Sequence, residues 1–190
     1  MKRILLIVDP QNDFITGTLA VPGAKEKMQK LADYLYVMGK EYDYVCVTMD
    51  SHPENHMSFK ENGGIWPKHC VSYTNGWEIP EYLNDALQEA NVVSYYHKGT
   101  NPETEEYSIF DNQEDGFTLA RQIQELIETG LVEIDVCGIA GDYCVLETLK
   151  GLRKIIGDRY ISVLTEYTAS IDGGEKLEKY LNENEITYVH

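Results

Sequence analysis

Long apolar runs and an excess of positive charge are both missing from this chain of 190 residues. No stretch of about 18 apolar residues occurs, so the sequence predicts no transmembrane helix. Lysine and arginine number 16 against 32 aspartates and glutamates, which gives a net charge of −16. Because nucleic-acid phosphates and anionic membrane surfaces are bound by basic side chains, we expect the chain to bind neither. The acid excess is typical of a solvated surface that aids solubility.

C-x-x-C pairs are also missing, since none occurs among Cys46, Cys70, Cys137 and Cys144. The sequence therefore predicts no disulfide framework, as expected of a reducing compartment. Cys46 and Cys137 lie within apolar segments, which predicts inert core thiols. The apolar segment at residues 4–8 is too short for a signal sequence, and no small-residue cleavage site follows it. We therefore expect a cytoplasmic protein.

The chain does contain a regular alternation of apolar strands and amphipathic helices. Strands are predicted at residues 4–8, 44–49, 92–97, 132–139, 160–164 and 186–189, and helices at residues 24–38, 80–90, 117–128, 146–156 and 176–181. This order predicts an α/β fold, a three-layer sandwich in which helices flank a six-stranded, mainly parallel sheet. With no repeat or linker, residues 1–190 fit a single domain.

Four reactive side chains follow the first four predicted strands, namely Asp9, Asp50, Lys98 and Cys144. Ligands of open parallel sheets bind beyond the carboxyl ends of the strands, so these side chains are predicted to meet at one edge. A long irregular segment at about residues 50–79 follows the second strand. Irregular segments of this length in compact domains are usually functional.

Cys144 lies where the fourth strand turns into a helix. The helix N-terminus favours the thiolate, and its free N–H groups can stabilise a developing oxyanion. Asp9 could accept the thiol proton, and Lys98 could stabilise the thiolate. Each residue also has a structural interpretation: a buried apolar cysteine, a turn aspartate and a lysine in a surface salt bridge. His97 precedes Lys98 on its strand and is predicted to face away from the site.

Three strings of the sequence together resemble the isochorismatase-like cysteine hydrolase superfamily. They are Val-Asp-Pro-Gln-Asn-Asp-Phe at residues 8–14, His-Lys-Gly at 97–99 and Gly-Ile-Ala-Gly-Asp-Tyr-Cys-Val at 138–145. The resemblance covers nearly the whole chain and implies a Rossmann-like topology. It also implies a catalytic triad of Asp9, Lys98 and Cys144, a cis peptide before Ala140, and an oxyanion hole made by the backbone N–H groups of Ala140 and Cys144.

Gly141 departs from the superfamily pattern, which usually has a small hydroxyl residue at this place. The hydroxyl is not expected to take part in the chemistry. The change could loosen the turn before Cys144.

A second cluster lies in the irregular segment, where Asp50, His52, His56 and His69 place one carboxylate and three imidazoles in one loop. These ligand types suit Zn, Fe or Mn. The alternative is a set of exposed loop histidines. Glu54 could serve as a further ligand or as the partner of one.

This cluster resembles the nicotinamidase branch of the superfamily, also called pyrazinamidase. That branch implies hydrolysis of nicotinamide to nicotinate and ammonia through a cysteine thioester, in NAD salvage. It implies one divalent metal ion, with zinc expected first and iron or manganese next, that binds the pyridine nitrogen. Phe14, Trp66 and Tyr107 resemble the aromatic walls of the substrate pocket, although each also fits ordinary core packing.

Two other functions remain open at this stage. One is a metal-independent amidase related to isochorismatase, and the other is a non-catalytic metal or thiol sensor. The sequence also leaves open which metal is bound, whether pyrazinamide is a substrate, and whether the chain forms a homo-oligomer.

Overall fold

The computed structural model describes residues 1–157 and 160–189 and contains one parallel sheet. Its strands are β1 (Lys2–Val8), β2 (Tyr44–Asp50), β3 (Val93–Lys98), β4 (Val132–Ile139), β5 (Ile161–Ala169) and β6 (Thr187–Val189). They pair in the order β3-β2-β1-β4-β5-β6, and every pairing is parallel. The predicted α/β fold with six strands is therefore confirmed.

Helices cover both faces of the sheet. They are α1 (Asn12–Ile15), α2 (Ala24–Met38), α3 (Glu81–Leu87), α4 (Asp115–Thr129), α5 (Leu146–Ile156) and α6 (Glu175–Glu183). Buried side chains of α2 and α3 share one apolar core with the sheet, and those of α4, α5 and α6 share the other. None of the helices in the described part of the chain is long and apolar enough to cross a lipid bilayer.

The apolar run in β1 explains why the sheet lies at the centre of the molecule. Leu5 and Ile7 point to the core under α2, whereas Leu6 and Val8 point to the core under α5. Successive side chains of a strand face opposite ways, so a strand covered on both faces must be apolar throughout.

Three elements differ from the sequence prediction by more than two residues, and the bounds of several others move by one or two residues. Residues 12–15, predicted as a loop, form the short helix α1. Pro80 lies just outside α3 with extended backbone angles, and the helix ends at Leu87 rather than near residue 90. Strand β5 continues past Leu164 because a register shift against β4 lets pairing resume at Thr168.

The strand order reverses between β1 and β4. From this pair the chain builds outward in both directions, which opens a crevice at the carboxyl ends of the two strands. Asp9 follows β1 there, and Cys144 follows β4 through a π-helical turn at Gly141–Val145. The topology thus places both residues at the usual ligand-binding position of such sheets.

Candidate active site

The carboxyl ends of four adjacent strands bring the predicted reactive groups into contact. Lys98 Nζ lies 2.9 Å from Asp9 Oδ2 and 3.5 Å from Cys144 Sγ. The same nitrogen contacts Asp50 Oδ1. The structure therefore joins all four side chains through one lysine, as the strand-end pattern predicts.

Lys98 is a cation without access to water, since its side chain is 0% exposed. Burial alone would lower its pKa, but the charges of Asp50 and Asp9 outweigh burial and hold the pKa well above its usual value. A buried charge is retained only where partners of opposite sign surround it. Lys98 is therefore a fixed positive charge beside the thiol.

Asp9 has the surroundings of a proton acceptor. Thr48 Oγ1 donates a 2.7 Å hydrogen bond to Asp9 Oδ1. Oδ2 forms no well-directed hydrogen bond within the described residues, although Lys98 Nζ is nearby. Burial, helped by the charge of Asp50, raises the pKa of Asp9 despite the opposing effect of Lys98. A carboxyl with a raised pKa holds a proton more readily than an ordinary aspartate, as a group that accepts and returns protons must.

Cys144 is buried, and burial raises the pKa of its thiol well above the usual value. The charge of Lys98 opposes this rise, whereas the charges of Asp9 and Asp50 add to it. The sequence suggested a thiolate stabilised by a helix N-terminus, but these surroundings favour a neutral thiol at rest. The nucleophile must then lose its proton to a base, and a carboxylate oxygen of Asp9 lies within 4.8 Å of Cys144 Sγ.

The turn before Cys144 has the backbone that the resemblance implies. The Ile139–Ala140 peptide is cis, and the π-helical turn begins at the next residue. The amides of Ala140 and Cys144 thus belong to the start of a helical segment, where backbone donors lack intrahelical acceptors. Asp142 fixes this turn to the loop after β5, because its carboxylate accepts hydrogen bonds from the backbone N–H groups of Ile171, at 2.9 Å, and Asp172, at 3.2 Å.

The Ser170 side chain packs directly against Gly141. A Cβ atom built at Gly141 would overlap Ser170 Oγ, and it would also press on Thr168 and Leu177. The space that a larger residue would need is therefore filled by a hydroxyl from the loop after β5. The turn is packed at this position rather than loosened.

Three of the four predicted metal ligands lie together beside the triad. One ligand atom from each of Asp50, His52 and His69 falls within 4.8 Å of the others. The Nε2 atoms of His52 and His69 lie 3.5 Å and 3.9 Å from Asp50 Oδ2. Two ligands at about 2.0–2.1 Å from one tetrahedral ion are themselves roughly 3.3 Å apart, so these residues fit one divalent ion.

Backbone carbonyls fix which nitrogen each of these two histidines offers. Nδ1 of His52 lies 2.9 Å from the carbonyl oxygen of Gly99, and Nδ1 of His69 lies 2.8 Å from that of Pro67. A carbonyl can only accept, so Nδ1 carries the proton and donates it. Nε2 of each ring faces Asp50 and is the nitrogen available to a metal ion, which is the arrangement that metal-binding histidines commonly have.

His56 lies next to this group but is oriented differently. Its ring packs on His52 with centroids 4.0 Å apart. Its Nδ1 lies 2.8 Å from Ser58 Oγ, and its Nε2 lies 3.1 Å from the carbonyl oxygen of Thr104. Burial, helped by the charge of His52, lowers the pKa of His56 to about 4. A ligand role for His56 thus remains a prediction that requires its ring to turn. Glu54 is exposed.

A small cavity of about 30 Å³ opens between Cys144 and His69. All three predicted aromatic walls line it, namely Phe14, Trp66 and Tyr107. Trp66 Nε1 donates a 3.0 Å hydrogen bond to the Tyr107 hydroxyl, which ties two of the walls together. The aromatic lining, rather than the volume, is that of a pocket for a small, flat molecule.

Several residues of the site were not identified from the sequence. The cavity is also lined by Leu19, Val21, Glu105, Tyr143 and Ile171. Tyr143 precedes Cys144 in the quoted string, and its ring lies 5.1 Å from that of Trp66. Its position next to the nucleophile in the sequence could have identified it as a residue of the site. Ile171 comes from a loop that no motif marks, so only the fold could reveal it.

Comparison with known proteins places this geometry in a family. No family model matches the chain. The nicotinamidase/pyrazinamidase of Mycobacterium tuberculosis is 35% identical over 175 residues, which cover 89% of this chain and 87% of that protein.

Solved structures agree over the full length. The zinc complex of the pyrazinamidase of Pyrococcus horikoshii is 30% identical with a TM-score of 0.79, and the match covers 100% of this chain and 99% of that one. The nicotinate complex of PnC1 from L. infantum is 29% identical with a TM-score of 0.83, covering 99% of this chain and 92% of that one. The chain therefore belongs to the nicotinamidase/pyrazinamidase family of isochorismatase-like cysteine hydrolases.

Proposed function

We propose that the chain hydrolyses nicotinamide to nicotinate and ammonia at Cys144. The observation that carries this proposal is one aromatic cavity with a buried thiol triad on one side and an Asp/His/His group on the other. The nicotinate complex of a relative with the same fold supports the choice of substrate.

The first step moves a proton within the triad. Asp9 takes the proton of Cys144, and Lys98 stabilises the resulting thiolate from 3.5 Å. The sulfur then attacks the carboxamide carbon and forms a bond to it. The raised pKa of Asp9 suits this residue to hold the proton until the leaving group needs it.

The second requirement is stabilisation of the oxygen that becomes negative. The backbone N–H groups of Ala140 and Cys144 are the proposed donors, since both stand at the start of the helical turn. Loss of one such donor costs about 3 kcal/mol in comparable sites. The carbon–nitrogen bond then breaks, and Asp9 returns its proton to the departing ammonia.

Release of the product repeats the same reaction steps with water as the nucleophile. Asp9 accepts a proton from the water that attacks the thioester carbon. The carbon–sulfur bond breaks, nicotinate leaves, and the proton returns to Cys144. Asp9 thus serves as base in each attack and as acid in each departure.

Asp50, His52 and His69 are the proposed ligands of a divalent ion, and His56 is a fourth candidate. Three protein ligands leave positions open, as catalytic rather than structural sites do. When bound, the ion would supply a Lewis acid for the pyridine nitrogen and so orient the ring. Zinc is the proposed ion because the related pyrazinamidase binds it.

We also propose that residues 1–190 form one domain, with the metal-binding loop at about residues 50–79. Membership of all six strands in one sheet supports the single domain. A cytoplasmic location is proposed as well, and it is supported by four cysteines that are all free and buried.

An ammonia-release assay on nicotinamide, run with and without a chelator, tests the proposed function. We expect release by the metal-loaded protein, loss after chelation, and recovery when zinc is added. No release under any condition would refute nicotinamide as the substrate. Release that chelation leaves unchanged would instead favour the metal-independent amidase.

A further inference from the structure

Two buried polar side chains beside the active site have no role in the proposed mechanism. Gln11 and Asp13 lie in the segment between β1 and α2 that also carries Asp9, and Asp13 is part of the short helix α1. Gln11 is 0% exposed and Asp13 is 8% exposed. Neither side chain is among those that line the cavity. Their polar atoms must therefore be satisfied by protein groups, and those groups indicate what the side chains do.

Gln11 brackets the backbone of Asp50. Its Oε1 accepts a 2.8 Å hydrogen bond from the N–H of Asp50, and its Nε2 donates a 2.8 Å hydrogen bond to the carbonyl of the same residue. Nε2 also donates to the carbonyl of Trp77 at 2.9 Å. One amide thus holds the peptide groups on both sides of Asp50, where β2 ends and the irregular loop begins.

Asp13 holds the other end of the metal-binding loop. Its Oδ2 accepts a 2.8 Å hydrogen bond from the N–H of Cys70, the residue that follows His69. Its Oδ1 accepts a 3.1 Å hydrogen bond from the N–H of Thr18. The backbone next to His69 is therefore fixed by a buried carboxylate.

Two glycines make this arrangement possible. A Cβ atom built at Gly17 or at Gly76 would overlap the Asp13 carboxylate. The N–H of Asp13 also donates a 2.9 Å hydrogen bond to the carbonyl of Gly76, so the two loops close around the carboxylate from both sides.

We propose that Gln11 and Asp13 are positioning residues that set the metal site by fixing the backbones of Asp50 and His69. The inference rests on the proposed function, since it takes these residues as ligands. His69 lies in an irregular segment without a regular hydrogen-bond ladder, and Asp50 is the last residue of β2, where the ladder ends. The two side chains therefore add the placement that the ladder does not supply. One loop then holds the proton acceptor Asp9 and both ends of the metal-binding segment.

The test measures the affinity of the full chain for zinc by competition with a chromogenic chelator. The variants are Gln11→Glu, which keeps the acceptor but loses both donated bonds, and Asp13→Asn, which loses one of two acceptors. We expect each to weaken zinc binding about 10- to 100-fold, the usual effect of removing a partner of the ligands. At saturating zinc, we expect kcat for nicotinamide to return toward the wild-type value while KM stays raised. The reason is that the ligands that orient the ring remain displaced.

Asp142→Asn is the matched control. Asp142 is also buried, and its carboxylate also accepts from two backbone N–H groups, those of Ile171 and Asp172, but on the nucleophile side. We expect its zinc affinity to stay within twofold of the wild type. Equal losses in the control and in Gln11→Glu, or wild-type affinity in the variants that fold, would overturn the inference. The wild-type chain separates the two hypotheses. If it binds zinc and hydrolyses nicotinamide, the proposed function stands even when the variants refute the positioning role. If it does neither, the proposed function and the positioning role both fail.

Discussion

The two halves of the active site are held in place by different means. Asp9, Lys98 and Cys144 stand at the ends of strands that are paired in a buried sheet. The histidines lie in an irregular segment with one 3₁₀ turn at Lys60–Asn62 and two isolated bridges. The triad therefore inherits its geometry from the sheet, whereas the metal group depends on single hydrogen bonds to loop backbone.

Asp50 belongs to both halves and shows how they are joined. It is the last residue of β2, and the Gln11 amide holds its backbone where the strand ends. Its Oδ1 contacts Lys98, and its Oδ2 faces His52 and His69. Burial would raise its pKa, but Lys98 and His52 outweigh burial and lower it. The Asp50 carboxylate therefore links Lys98 of the triad to the two histidines of the metal group.

The largest expected effect comes from removing the nucleophile of the sheet-held half. Cys144→Ala should reduce ammonia release from nicotinamide by at least about 10³-fold, since no other group can form the thioester. Circular dichroism should show the fold retained. Cys46→Ala is the control, because that thiol lies in β2, and burial raises its pKa to about 12. Substantial turnover by Cys144→Ala would contradict the covalent mechanism.

The next effect separates the ligands of the loop-held half. His69→Ala should no longer bind one zinc ion per chain, and its rate of ammonia release should fall about 100-fold. His56→Ala should keep its zinc, because the His56 ring is hydrogen-bonded to Ser58 and Thr104. Metal content after gel filtration measures both. Equal zinc loss in the two variants would support the four-ligand site that the sequence suggests and would show that His56 turns toward the ion.

The same division governs what the sequence could predict. Helix α2 and strand β4 were placed with the bounds that the structure has, because apolar periodicity records burial directly. Short α1 was missed, since four residues carry too little periodicity to be seen. The continuation of β5 past Leu164 was missed because the register shift against β4 depends on tertiary pairing.

For the site, the strand-end rule was enough to bring Asp9, Lys98 and Cys144 together. It could not tell that burial raises the pKa of the Cys144 thiol, because burial is a property of the folded molecule. Nor could spacing separate His56 from His69, since both lie in the same irregular segment. The orientation of each ring follows from its hydrogen bonds in the folded chain, to the carbonyl of Pro67 for His69 and to Ser58 and the carbonyl of Thr104 for His56.

A smaller effect tests how tightly the sheet-held half is packed. Gly141→Ala should destabilise the fold by about 1–3 kcal/mol and lower kcat, because the new methyl group overlaps Ser170 Oγ. Adding Ser170→Ala removes that atom and should restore part of both losses. Denaturant unfolding and ammonia release measure the cycle. Losses that simply add in the double variant would show that Ser170 is not the obstacle.

The smallest effect is expected where the two halves meet, in the wall of the cavity. Tyr107→Phe keeps the ring but removes the hydroxyl that accepts from Trp66 Nε1 at 3.0 Å. A hydrogen bond of this kind contributes about 1 kcal/mol, so we expect KM for nicotinamide to rise roughly fivefold with little change in kcat. Tyr82→Phe is the control, since its buried hydroxyl has no hydrogen-bond partner within the described residues. A fall in kcat without a rise in KM would mean that Tyr107 affects the triad rather than substrate binding in the cavity. The two halves of the site would then not be separable at this residue.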